Sequence, residues 1–126
     1  MIRPLERGSA PVEFVLVGVL LVAVALTVLQ VAFVAHVKSI AIDSAIAGAA
    51  HAALADTTDA EGVARTRELV GLGIADGLVR SVTVSDVNTG PRPVVAITVE
   101  LAVPAIGPWL PVATMTVRGR AIREDP

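Results

Sequence analysis

The 22 residues from Phe14 to Ala35, FVLVGVLLVAVALTVLQVAFVA, carry no charge, and only Thr27 and Gln30 among them are markedly polar. An α-helix rises 1.5 Å per residue, so this stretch covers about 33 Å, enough to cross a hydrocarbon core of about 30 Å. The surface helix of a globular domain keeps a polar face, whereas this segment is apolar all round, as a membrane span is. Arg3, Arg7 and the amino terminus precede it, opposed by Glu6, and Lys38 is the first charge after it. The excess of basic groups on the N-terminal side predicts a cytoplasmic N-terminus.

The rest of the composition agrees with a membrane protein carrying a small appended domain. Of 126 residues, 54% are hydrophobic and 17% charged, and the mean hydropathy is +0.74. So apolar a chain cannot stay disordered over most of its length. The absence of cysteine excludes a disulfide scaffold, a thiolate metal site and a Cys nucleophile. A net charge of −2 and a pI of 5.6 lack the basic footprint of a nucleic-acid binder. Aromatic side chains are scarce, namely Phe14, Phe33 and Trp109, so aliphatic residues and alanine must fill the core.

Three readings of the N-terminus compete. A secretory signal peptide has a shorter apolar run and a small-x-small cleavage site close behind it. Ala23-Val24-Ala25 offers such a site, yet Leu26 to Ala35 prolongs the run. A plain signal anchor fits the run but leaves Glu13, an acidic residue at the mouth of a span, without a purpose. The third reading accounts for Glu13.

The stretch Arg7-Gly8-Ser9-Ala10-Pro11-Val12-Glu13-Phe14, followed by Val15-Leu16-Val17, resembles the class III signal of type IV pilin-like proteins. More narrowly, it is similar to the TadE-like minor pilins (pseudopilins) of tight-adherence, or Flp, pilus systems. The resemblance implies a leader over residues 1–8, cut by prepilin peptidase between Gly8 and Ser9, which makes Glu13 the fifth mature residue. Pro11 departs from the small residue more common at the third mature position, and the first turn of a helix tolerates it. The resemblance also implies a single-pass protein of the bacterial cell membrane, with other pilins and minor pilins as partners. In such an assembly the Ser9 amine of one subunit would meet the Glu13 carboxylate of its neighbour. The plainer alternative for Glu13 is a favourable interaction with the helix dipole, worth about 0.3–1 kcal/mol.

After a transmembrane segment over 9–35, residues 36–126 read as an extracytoplasmic α+β domain, with a pilin-like fold implied by the resemblance. Helical periodicity continues to about Ala55. Within it Ala41, Ala45, Ala49 and Ala53 recur every four residues, and Ser44, Gly48 and Ala52 form a second small row. Such rows permit close helix packing, against another subunit for example; alanine is also simply the best helix former. Both explanations stand at this point. Thr58-x-x-Glu61 reads as a capping box opening a second helix that runs to about Val79, weakened by Gly71 and Gly73.

Beyond Arg80 the period changes to two. Val82 and Val84 alternate with Ser81, Thr83 and Ser85. Asn88-Thr89-Gly90-Pro91 marks a turn, and Val95, Ile97, Val99, Leu101 and Val103 form the cleanest strand pattern. The proline-rich stretch 104–111 reads as a loop carrying Trp109, either a lid over the sheet or a partner contact. Ala113, Met115 and Val117 face one side of a third strand. Three antiparallel strands packed on helices make one small α+β domain.

Catalytic patterns fail one by one. His36 and His51 lie 15 residues apart on one expected helix, about 22 Å along its axis, too far to share a metal. Gly71-x-Gly73-x-x-x-Gly77 misses the dinucleotide-binding spacing and follows a helix. Asp56, Asp59, Glu61 and Glu68 read as a solvated face with caps at its start. Thr27 can back-bond to its own helix, and Gln30 can bond to a neighbouring helix. The expectation is therefore a non-enzyme with no cofactor, no metal, no small-molecule substrate and no nucleic-acid partner. Two classes remain: a TadE-like minor pilin, or a membrane-tethered binding or regulatory domain with no pilus role.

Overall fold

The computed structural model describes residues 4–74, 76–88, 90–103 and 113–124. Its element order is helix α1 (Pro4–Ala52), helix α2 (Asp59–Gly73), a 3-10 turn (Asp76–Leu78), and strands β1 (Val79–Val87), β2 (Val94–Val103) and β3 (Ala113–Ile122). Contacts divide the chain into two units, Met1–Phe33 and Val34–Pro126.

The first unit is the N-terminal part of α1. Its large apolar side chains are exposed, from Val12 and Phe14 through Leu16, Leu20 and Leu21 to Leu29, Val31 and Phe33. None of the most apolar window of α1 is buried, and the helix is long and apolar enough to cross a membrane. The hydroxyl of Thr27 donates to the Ala23 carbonyl at 2.8 Å, so its polarity is satisfied within its own helix turn.

The second unit is an antiparallel sheet of order β1-β2-β3 with the C-terminal part of α1 and with α2 packed on it. The α+β layout expected from the sequence is present, with a long apolar helix, a second helix and a three-stranded antiparallel sheet. Alternation in β2 sends Val95, Ile97, Val99, Leu101 and Val103 into the core, where all five are buried. Register then carries the core face across the sheet, pairing Val82 with Val99 and Val84 with Ile97, and on the other side Val99 with Val117 and Ile97 with Gly119. The register shifts between Val79 and Ser81, which leaves Arg80 as the extra, exposed residue of a bulge. On the opposite face Thr83, Thr98 and Arg118 lie side by side, and Arg118 Nε donates to Thr98 Oγ1 at 3.3 Å.

Several boundaries differ from the periodicity. Helix α2 stops at Gly73, not near Val79, because Ile74 takes an extended conformation as its C-cap. Its start follows the sequence: the Glu61 amide donates to Thr58 Oγ1 and the Thr58 amide to Glu61 Oε2, a complete capping box. Strand β1 begins three residues before Val82, and β3 runs on to Ile122. The core also reaches back to Val34 and Val37, so the second unit begins slightly before residue 36. The loop carrying Trp109 lies outside the described residues.

Candidate functional site

Gly8, Ser9 and Glu13 all lie within α1. Ser9 and Glu13 are four residues apart, so they share one face of the helix, and both are exposed. Because α1 begins at Pro4, Pro11 lies in the helix interior and not in its first turn. Proline has no amide hydrogen, so the Arg7 carbonyl has no donor four residues on and the turn holding the Gly8–Ser9 bond lacks one rung of its ladder. Gly8 weakens the same turn through backbone entropy. A cut after Gly8 would turn Pro11 from an interior residue into the third of a new N-terminus, where a missing amide hydrogen costs nothing.

The small rows of α1 are consumed inside the chain's own second unit. Ala41, Ala45 and Ala49 are fully buried and Ala53 nearly so. Gly119 of β3 presses on this row: a Cβ there would overlap the Ala45 carbonyl carbon and the Ile46 nitrogen. The second row, Ser44, Gly48 and Ala52, faces α2, whose buried positions are Gly62, Thr66 and Val70. A Cβ on Gly48 would overlap Thr66 Oγ1, and one on Gly62 would overlap the Ala52 methyl. Gly73 lies against Ile40, so the two helices run antiparallel. Both rows therefore record close backbone approach, and the surfaces approached are this chain's own α2 and β3.

Arg123 is the residue that sequence reasoning missed. Its Nη2 meets Asp86 Oδ1 at 2.7 Å and Asp59 Oδ1 at 3.0 Å, and Nη1 points at the Ala52 carbonyl at 3.5 Å. Its amide donates to the Pro93 carbonyl at 2.9 Å, and the Glu124 amide to the Ala53 carbonyl at 2.8 Å. The last carbonyls of a helix have no partner within it. At the end of α1 these are met by the C-terminal segment and by the Thr57 hydroxyl, which donates to the carbonyls of His51 and Leu54. Hydrogen bonds from the guanidinium to Asp86, then to Asp59, raise its pKa further above an already high value. Asp59 thus belongs to an ion-pair network that ties α1, α2, β1 and the C-terminal segment together, and is more than part of a solvated face. The partners of Arg123, Asp59 and Asp86, lie 64 and 37 residues from it in sequence, which no local pattern encodes.

Compared with known protein families, curated proteins and solved structures, the chain matches none. The site must be read from its own residues. His36 and His51 both lie on α1, 15 residues apart, and among the described residues no three His, Asp or Glu side chains gather to hold a metal. An open groove lined by His51, Glu61, Ala64, Arg65 and Glu68 lies at the crossing of α1 and α2. Two of its acidic groups are already engaged, Glu61 in the α2 cap and Glu68 with Arg65 at 3.2 Å. Among the described residues, the exposed apolar part of α1 and the exposed Glu13 at its start stand apart from the core of the second unit.

Proposed function

We propose that this chain is a TadE-like minor pilin, cut by prepilin peptidase after Gly8 and acting in assembly of a Flp-type pilus. The observation that carries this reading is Glu13, an exposed carboxylate immediately before the uncharged run 14–35 of α1 and five residues after Gly8. A carboxylate in a spanning helix costs about 2.5–3.5 kcal/mol at mid-membrane and less near the surface. Cleavage after Gly8 removes Arg7 and creates an amino group on Ser9, one helical turn from Glu13. In a packed bundle of such helices the amine of one subunit pairs with the Glu13 carboxylate of the next. Leaving either charge alone in a dry interface is strongly unfavourable, so the pair fixes the axial register.

Further support is the α+β unit on the same helix, which gives the chain a body to present outside the membrane. The orientation has the N-terminus in the cytoplasm and residues 36–126 outside. The role is structural, with the membrane, the peptidase and other pilins as partners. Mass measurement of the mature chain tests the reading: an N-terminus at Ser9 supports it, and Gly8→Val should then leave the leader attached. Retention of Met1 would instead indicate a tethered domain, and an N-terminus at Leu26 a secreted one.

A further inference from the structure

Beneath the sheet, the C-terminal part of α1 lies under β3 and α2 lies under β1. Gly119 of β3 sits on the peptide joining Ala45 to Ile46, and α2 packs against β1. Successive side chains on a helix turn by about 100°. Ala45 is buried against the sheet and Ser44 faces α2, so Ile46 points to the flank of α1 away from α2, along the outer edge of β3. Ile42, one turn earlier, shares that flank. It is half-buried against the core, while Ile46 is exposed.

That edge of β3 is open. The strand pairs with β2 along its whole length with no shift of register, and among the described residues nothing pairs with its other side. In an antiparallel ladder alternate residues direct their amide and carbonyl groups to opposite sides, so every second residue of β3 offers both to a further strand. Folded proteins blunt such edges with proline, bulges or short strands. The opposite edge of the sheet has its bulge at Arg80, whereas β3 runs for 10 residues with neither bulge nor proline. On the outer face Arg118 and Arg120 are exposed, two residues apart. Arg118 is bonded to Thr98, and Arg120 has no ion-pair partner among the described residues. The edge therefore has an aliphatic wall below, two guanidinium groups above and unpaired backbone between them.

We propose that the outer edge of β3 is a docking groove for an extended segment of a partner protein, taken up as a fourth strand. The segment alternates acidic and aliphatic residues. Its acidic side chains meet Arg118 and Arg120 on the outer face, and its aliphatic ones pack on Ile42 and Ile46. In this mode main-chain hydrogen bonds supply affinity and the alternate side chains supply selectivity. A second copy of the chain is a poorer occupant, because pairing β3 with itself would gather the guanidinium groups of both copies on one face of the joined sheet. The groove lies wholly within the second unit and does not require α1 to cross a membrane.

The test uses the full chain in micelles and a fluorescent peptide of about nine residues alternating valine and glutamate, with a valine–lysine peptide as its counterpart. Fluorescence anisotropy should show saturable binding of the acidic peptide below about 1 mM, at least about fivefold tighter than that of the basic one. The double variant Arg118→Glu, Arg120→Glu should reverse that preference, and Ile46→Ser should weaken binding several-fold. All three positions are exposed, and circular dichroism checks that the variants fold as the parent does. Methylating the peptide's amides on one set of alternate residues should abolish binding, and on the other set should leave it intact, since only one set faces β3. Absence of binding to the parent chain would make Arg118 and Arg120 guards of a closed edge and overturn the groove. Equal losses from the two methylated sets would show docking other than as a strand, and an unreversed preference would remove the charge pairing; either overturns it. Displacement of the peptide by a concentration-dependent dimer would give the edge to a second copy and overturn it too.

Discussion

Gly48 of α1 and Gly62 of α2 face each other so closely that a Cβ on either would lie 2.9 Å from the other's carbonyl oxygen. The neighbouring Thr66 is buried and its hydroxyl donates to the Gly62 carbonyl at 2.9 Å, filling the space above Gly48. The crossing thus depends on two missing methyl groups and one back-bonded hydroxyl.

Gly48→Ala should destabilise the folded unit by about 1–3 kcal/mol, the usual effect of overpacking. Because the new methyl strikes Thr66 Oγ1 first, adding Thr66→Ala should recover part of the loss. Denaturant unfolding of the full chain in micelles measures all three variants. Strict additivity in that cycle would show that the two residues do not share the crossing.

Gly119→Ala tests the other small-residue contact. Here the obstacle is the backbone of Ala45 and Ile46, which cannot rotate away as a side chain can. The loss should reach or exceed the upper end of about 1–3 kcal/mol, and be larger than for Gly48→Ala. Thermal unfolding followed by circular dichroism gives the comparison.

Arg123→Ala removes two ion pairs and the contact with the Ala52 carbonyl. Partly exposed pairs contribute little each, so the expected loss is about 1–2 kcal/mol for the network. The pairing raises the guanidinium pKa, so its stabilisation is present below the unfolded value and lost only as pH rises through the still higher folded value. The difference between parent and variant should therefore stay constant from roughly neutral pH to about pH 10. A difference that shrinks in that window would assign the effect to another group.

Pro11→Ala restores the missing amide hydrogen opposite the Arg7 carbonyl. The substitution stabilises that stretch of helix by up to about 3 kcal/mol. A peptidase that needs the Gly8–Ser9 bond unwound should then remove the leader several-fold more slowly. Pulse-labelled precursor, followed by mass, reports the rate. Unchanged processing would mean that the helix does not limit access to the bond.

Glu13→Gln keeps the side-chain shape and removes the charge. Membrane insertion and leader removal should be normal, while recruitment into the pilus-assembly complex is lost. Co-purification with the other pilins is the readout. Parental recruitment would return Glu13 to a dipole interaction at the helix start, worth about 0.3–1 kcal/mol.

Local chemistry made much of this molecule legible. An uninterrupted apolar run defines a helix long and apolar enough to cross a membrane, Thr58 and Glu61 satisfy each other within four residues, and alternation from Val95 to Val103 defines a two-sided strand. The end of α2 was harder to place, since Leu69, Val70 and Ile74 continue a helical pattern while Gly73, held against Ile40, ends the helix beside α1. The small rows at Ala41, Ala45, Ala49 and Ala53, and at Ser44, Gly48 and Ala52, announced close packing without naming its partner. Side-chain size encodes how near another backbone can come, not which backbone it is. Only the tertiary structure assigned one row to β3 and the other to α2. It alone brought Arg123 to Asp59 and Asp86, because a charge pair between residues far apart in sequence exists only once the chain has closed the loops between them.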